Sequence, residues 1–111
     1  MPIIAKNLIP AKNLENAQTT QYVATNVTAI IDKFTATNFS SGIVTVSVNL
    51  AAVSDTAGNS NLIVKTRSLQ PGETYTFPEI VGHILPSGGF VSTLASAAAA
   101  VNLRASGREI S

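Results

Sequence analysis

Hydrophobic and polar residues alternate most regularly over residues 42–50, where Val44, Val46, Val48 and Leu50 are separated by Thr45, Ser47 and Asn49. Successive strand side chains point to opposite faces, so this stretch predicts a strand with one apolar and one polar face. Leu62 and Val64 against Lys65 and Arg67, then Val101 and Leu103 against Asn102 and Arg104, repeat the pattern with charge outward. Residues 27–38 are less regular, because Ile30 and Phe34 share a face with Asp32 whereas Ile31 shares the other with Lys33. Either a bulge re-phases this strand or both of its faces are partly covered. Residues 21–25, 74–77 and 90–95 complete six or seven short strands.

Turn chemistry separates them. Residues 37–42 and 54–61 are rich in Ser, Thr, Asn, Asp and Gly, and Pro71-Gly72 combines a fixed φ with tolerance of positive φ. Pro86-Ser87-Gly88-Gly89 reads as a hairpin turn, and the alanine tetrad at 97–100 as a loop. One short helix is predicted over residues 78–85, with Pro78 at its first position, Glu79 near the positive dipole end and Pro86 as its stop. Ile80, Val81, Ile84 and Leu85 would face the sheet while Glu79 and His83 lean outward. So short a helix depends on packing for its stability.

Residues 1–17 have a different texture. Ile3, Ile4, Leu8 and Ile9 stand among Pro2, Pro10, two Lys and three Asn, with no sustained period of 2 or 3.6. This predicts an extended N-terminal arm, able to reach roughly 55 Å at about 3.3 Å per residue. Ile3, Ile4, Leu8 and Ile9 are the candidate assembly residues, because a partner's groove or sheet edge could bury them by strand addition. The expected organisation is an arm at 1–17 and one domain at 18–111. The domain is expected to be all-β: one-sided strands need a second apolar layer, and local turns favour antiparallel neighbours. A small antiparallel β-sandwich, Ig-like or jelly-roll-like, with one short helix is the leading architecture, and a small barrel is the alternative.

Composition narrows the chemistry. The 111 residues fit one domain, and 45% hydrophobic against 12% charged residues argues against a highly charged disordered chain. Seven Lys and Arg against six Asp and Glu give a net charge of +1, too little for a phosphate-neutralising surface, so nucleic acid is not expected as a partner. The absence of Cys removes disulfides, thiolate metal sites and thiol catalysis. No secretion signal is expected, since Lys6, Asn7, Pro10 and Lys12 interrupt the start. The charge-free stretch at 80–103 carries His83, Pro86 and many small polar residues, so no membrane partner is expected either.

No catalytic constellation stands out. A Ser-His-Asp mechanism would need His83 as base with Asp32 or Asp55 behind it, and no G-x-S-x-G motif supports it. Nothing places Asp32 with Glu73, or Glu79 with Glu109, at glycosidase spacing. The Asp55 loop lacks the acids and closing Glu of an EF-hand, and Pro86-Ser87-Gly88-Gly89 lacks the Walker Lys. Lys65 and Arg67 would form a small basic ridge, joined by Lys33 if its strand lies beside them, and such dispersed cations read as solubilising strand charges. No catalytic, metal or cofactor residue is therefore assigned.

Residues 29–38 (Ala-Ile-Ile-Asp-Lys-Phe-Thr-Ala-Thr-Asn) resemble a group of small tailed-bacteriophage virion proteins. The likeness continues through Ser60-Asn61-Leu62-Ile63-Val64-Lys65, Pro71-Gly72-Glu73-Thr74-Tyr75, Glu79-Ile80-Val81-Gly82-His83 and the ending Arg104-Ala105-Ser106-Gly107-Arg108-Glu109-Ile110. It covers about residue 20 to the C-terminus and rests on strand and turn signatures, not on a reaction. The resemblance implies a β-sandwich building block located in the virion, at the head-to-tail neck or decorating the head. The expected function is a non-enzymatic structural protein that forms a homo-oligomer as a collar or connector accessory at the neck, binding connector or portal subunits. The alternative is capsid decoration, as a cement protein on the major capsid protein. A carbohydrate- or receptor-binding module is the alternative from another class; it generally needs exposed aromatics, and two Tyr, four Phe and no Trp offer few.

Overall fold

A computed structural model describes residues 2–111. Its strands are β1 (Ile3–Asn13), β2 (Thr19–Val23), β3 (Thr28–Asn38), β4 (Val44–Ala51), β5 (Leu62–Leu69), β6 (Thr74–Tyr75), β7 (Ile84–Leu85), β8 (Phe90–Ala95) and β9 (Val101–Ile110). β4 and β5 form a hairpin, and the strands on either side pair outward from it in reverse order: β3 with β6 and β7, β2 with β8, β1 with β9. The chain is thus one doubled antiparallel ribbon. Its successive rungs fall alternately into two sheets, β1-β9-β3-β6 with β7 also on β3, and β2-β8-β4-β5. That wiring is the jelly-roll form of the antiparallel β-sandwich.

The inner faces supply the core. Val46, Val48 and Val91 from one sheet meet Ile31, Phe34, Val101 and Leu103 from the other, all buried. Phe77 closes one flank by packing edge-on against Phe34, with ring centroids 5.3 Å apart. The irregular strand is resolved by a bulge: the β3–β9 register shifts between Ile31 and Lys33, so Asp32 projects outward and Ile31 and Phe34 both reach the core. Gly107 lies opposite Ile31, where a Cβ would overlap the Ile30 carbonyl oxygen.

Three expectations are corrected. Residues 1–17 do not form an arm outside a domain at 18–111, since Ile3–Asn13 is strand β1, paired with β9 along its length. Its register shifts between Lys6 and Ile9 and again between Ile9 and Lys12. These bulges bury the adjacent Leu8 and Ile9 and erase the period of 2 that would mark a strand. The predicted helix at 78–85 is also replaced, by a run of turns ending in β7. Gly82 has φ 91°, its N–H donates to Ile31 O at 2.7 Å, and Ile31 N–H donates to His83 O at 3.1 Å. Backbone groups of β3 therefore capture the segment after a single turn. Ile80 and Leu85 face the core as expected, but Val81 and Ile84 are exposed. The turn at Pro86-Ser87-Gly88-Gly89 joins β7 and β8, which lie in opposite sheets, so it is a crossover and not a hairpin.

Candidate assembly edge

β1 has one neighbour, β9, and its other edge is free. Ser111 N–H donates to Pro2 O at 3.2 Å, which makes 2/111 a hydrogen-bonded pair and 3/110 a non-hydrogen-bonded one. Because antiparallel pairs alternate between these types, the N–H and C=O of Ile3 and Ala5 point away from β9, toward the free edge. Ile3 is 61% exposed and Ile4 56%.

Most of this flank is guarded against strand addition. Pro10 has no N–H to donate, and both bulges lie beyond Lys6. Charged groups also fill the gap between the sheets. Lys12 Nζ lies 2.9 Å from Glu15, whose carboxylate also accepts from Gln21 at 2.9 Å; the Lys12 bond, then the Gln21 bond, holds the Glu15 carboxyl below its ordinary pKa. Lower down, Glu109 accepts from the Tyr22 hydroxyl and lies 3.3 Å from Lys6 Nζ. Burial first, and the Glu109 carboxylate second, push the Tyr22 hydroxyl well above its usual range. Residues 2–6 alone on this edge carry no bulge, and Pro2 stands at their outer end.

An apolar band leads to the same place. On the outer face of the first sheet Ile84 lies opposite Ile30, and Ile110 lies opposite Ile3. The β3–β9 register sets Ile110 diagonally beside Ile30, so the four isoleucines cross the sheet obliquely to the free edge. Of the expected assembly residues, Ile3 and Ile4 are at this edge, whereas Leu8 and Ile9 are buried core residues and are withdrawn from that role. Ile30, Ile84 and Ile110 were not singled out from sequence. Ile30 standing out of phase with Ile31 was their one signal.

The other candidate groups stay apart. His83 is exposed in the turn before β7, and Asp32 is held by Arg108 through two 3.0 Å hydrogen bonds that keep its carboxyl below its ordinary pKa. Among the described residues no group of three or more His, Asp or Glu could hold a metal ion. Lys33 and Lys65 lie on different sheets, and Arg67 stacks on Tyr75 at 3.8 Å, so the three cations form no ridge. A shallow trough of about 390 Å³ on the outer face of the first sheet is lined by Lys33, Arg104, Asn102, Ser106 and two Thr. No family model, curated protein or solved structure matches this chain.

Proposed function

We propose that this chain is a non-enzymatic structural component of a bacteriophage virion, which assembles with copies of itself at the head-to-tail neck and binds connector or portal subunits there. The observation that carries the self-assembly part is the unbulged edge at residues 2–6 beside a band of isoleucines, of which Ile3 and Ile84 are exposed and Ile30 and Ile110 half-buried, on a flank that is bulged beyond Lys6. The phage part rests on the sequence resemblance, which runs through β3, β5 and β9. Charged side chains near the edge are engaged in structural pairs, Lys6 with Glu109 and Asp32 with Arg108.

Copy number per particle tests the location, because a closed ring and a capsid lattice impose different symmetries. About six or twelve copies are expected from a neck ring. Hundreds over the shell would replace the neck by capsid decoration. A glycan-binding module is the reading of another class, and one feature favours it: a cleft of about 220 Å³ on the outer face of the second sheet, lined by Gln18, Asn49, Asn59 and Lys65. Those groups could bond sugar hydroxyls, yet no aromatic ring lines the cleft. Tyr22, Phe34 and Phe77 are buried, and Tyr75 carries Arg67 on its ring. Specific glycan capture by the purified protein would favour that reading over assembly.

A further inference from the structure

We propose that two copies of this chain pair antiparallel through residues 2–6, at the start of β1, with Ile4 of each copy opposite Ile4 of the other on a two-fold axis. The inference rests on the reading of the chain as a self-assembling subunit and names the contact.

Backbone parity restricts the register. The free-edge donors and acceptors belong to Ile3 and Ala5, so an antiparallel partner strand of the same sequence must set odd-numbered residues opposite odd-numbered ones. Centring on residue 4 places Ile3 opposite Ala5 of the second copy, and Ala5 opposite its Ile3, each pair exchanging both backbone hydrogen bonds. Ile4 then meets Ile4 as a non-hydrogen-bonded pair, the type with the closer side chains. Centring on residue 5 would instead set Lys6 against the second copy's Ile4, burying an ammonium against an apolar side chain and pulling it from Glu109, 3.3 Å away. Centring on residue 3 would leave Ile3 opposite Ile3 as the one pair within residues 2–6 that exchanges both backbone hydrogen bonds, and would set Ile4 against Pro2 of the second copy. The residue-4 register keeps each Lys6 on its own Glu109 and sets it opposite Pro2, so charge selects it.

The contact is isologous, each copy offering the same patch. On the outer face it places Ile3 of one copy beside Ala5 of the other, which brings the two isoleucine bands together. Five residues a side are far fewer than the roughly 20–30 of a standard interface. The pair is therefore weak in dilute solution and is held in a particle by high local concentration.

The chain has no Cys, so single substitutions report the register by disulfide trapping. Cα atoms of a non-hydrogen-bonded pair are about 4.5 Å apart, within disulfide reach. Under mild oxidation Ile4→Cys is expected to cross-link at least tenfold faster than Ala5→Cys, Lys6→Cys or the distant Phe39→Cys. Adding Ala5→Pro to Ile4→Cys removes an outward N–H that β9 does not use, and it should slow cross-linking at least tenfold with the thermal midpoint of the fold retained. Fastest linkage at Ala5→Cys would overturn this register. Equal rates for Ile4→Cys and Phe39→Cys would overturn the pairing altogether, while leaving self-assembly to be judged by copy number. If the proline variant loses its fold, the comparison among the cysteine variants still decides.

Discussion

Asn38 has its side chain wholly withdrawn from water where three connections meet. Its amide donates to Gly42 O at 2.8 Å and to Leu69 O at 2.9 Å, while its oxygen accepts from the backbone and hydroxyl of Ser40. An alanine there leaves two carbonyls and an N–H without that partner, so Asn38→Ala should cost about 2–4 kcal/mol in urea denaturation. Tyr22 predicts a pH dependence. Its folded pKa is raised above the unfolded value, so its contribution is complete below pH 10 and declines as pH rises through and beyond it. Tyr22→Phe should lower neutral-pH stability by about 1–2 kcal/mol and weaken the alkaline decline. Unfolding midpoints recorded from pH 7 to 11 check both, and an identical alkaline slope in the two proteins would contradict the assignment. Gly107→Ala forces a Cβ onto a backbone oxygen that cannot rotate away, and a loss of about 3 kcal/mol or more is expected.

At the scale of the element, β1 changes what truncation should do. An arm could be removed with little harm to the core, but deletion of residues 1–17 takes away Leu8, Ile9 and Leu14, all buried. At about 1.5–3 kcal/mol for each such side chain, the loss approaches the 5–15 kcal/mol of a typical domain. The truncated chain is expected to lose its cooperative thermal transition, and a retained sharp transition would show that β9 needs no neighbour there. The bulges explain why this strand escaped sequence reading. They supply an edge that resists strand addition over residues 7–13, and they leave residues 2–6 regular.

For the whole molecule, the ribbon wiring means that the last rung to close, β1 on β9, joins Ile3 to Ile110. Pairings so distant in sequence must first meet a large loop-closure entropy. Refolding is expected in the range of milliseconds to seconds, typical of all-β sandwiches, and stopped-flow dilution from urea measures it. Complete refolding within microseconds would contradict the assigned topology. The same wiring puts the two chain ends together at one corner, where Lys6 of β1 and Glu109 of β9 form their pair.

The two-layer β fold was legible because alternation at Val44, Val46 and Val48, and at Val101 and Leu103, encodes a buried face whatever the partner strand is. Outward charge at Arg104 and Lys65 was legible for the same reason. The bulge in β3 was one of two readings left open by Ile30, Ile31 and Asp32, and only pairing with β9 chose it. Ser47 and Asn49 lie on the predicted polar face and are nevertheless buried: the Ser47 hydroxyl accepts from Thr66 N–H of β5, and residues 56–61 fold back so that Gly58 O and Asn61 accept from the Asn49 amide. Leu8 and Ile9 could not be told from Ile3 and Ile4 by sequence, since all four are apolar residues in an aperiodic stretch. Tertiary structure separated them: bulging turned the first two inward, while the second two were left beside the unpaired edge. Hydrophobic periodicity is a local property and determined which strands have a buried face. Edges, bulges and covered polar faces depend on which distant segment arrives opposite, and that is decided only when the ribbon rolls up.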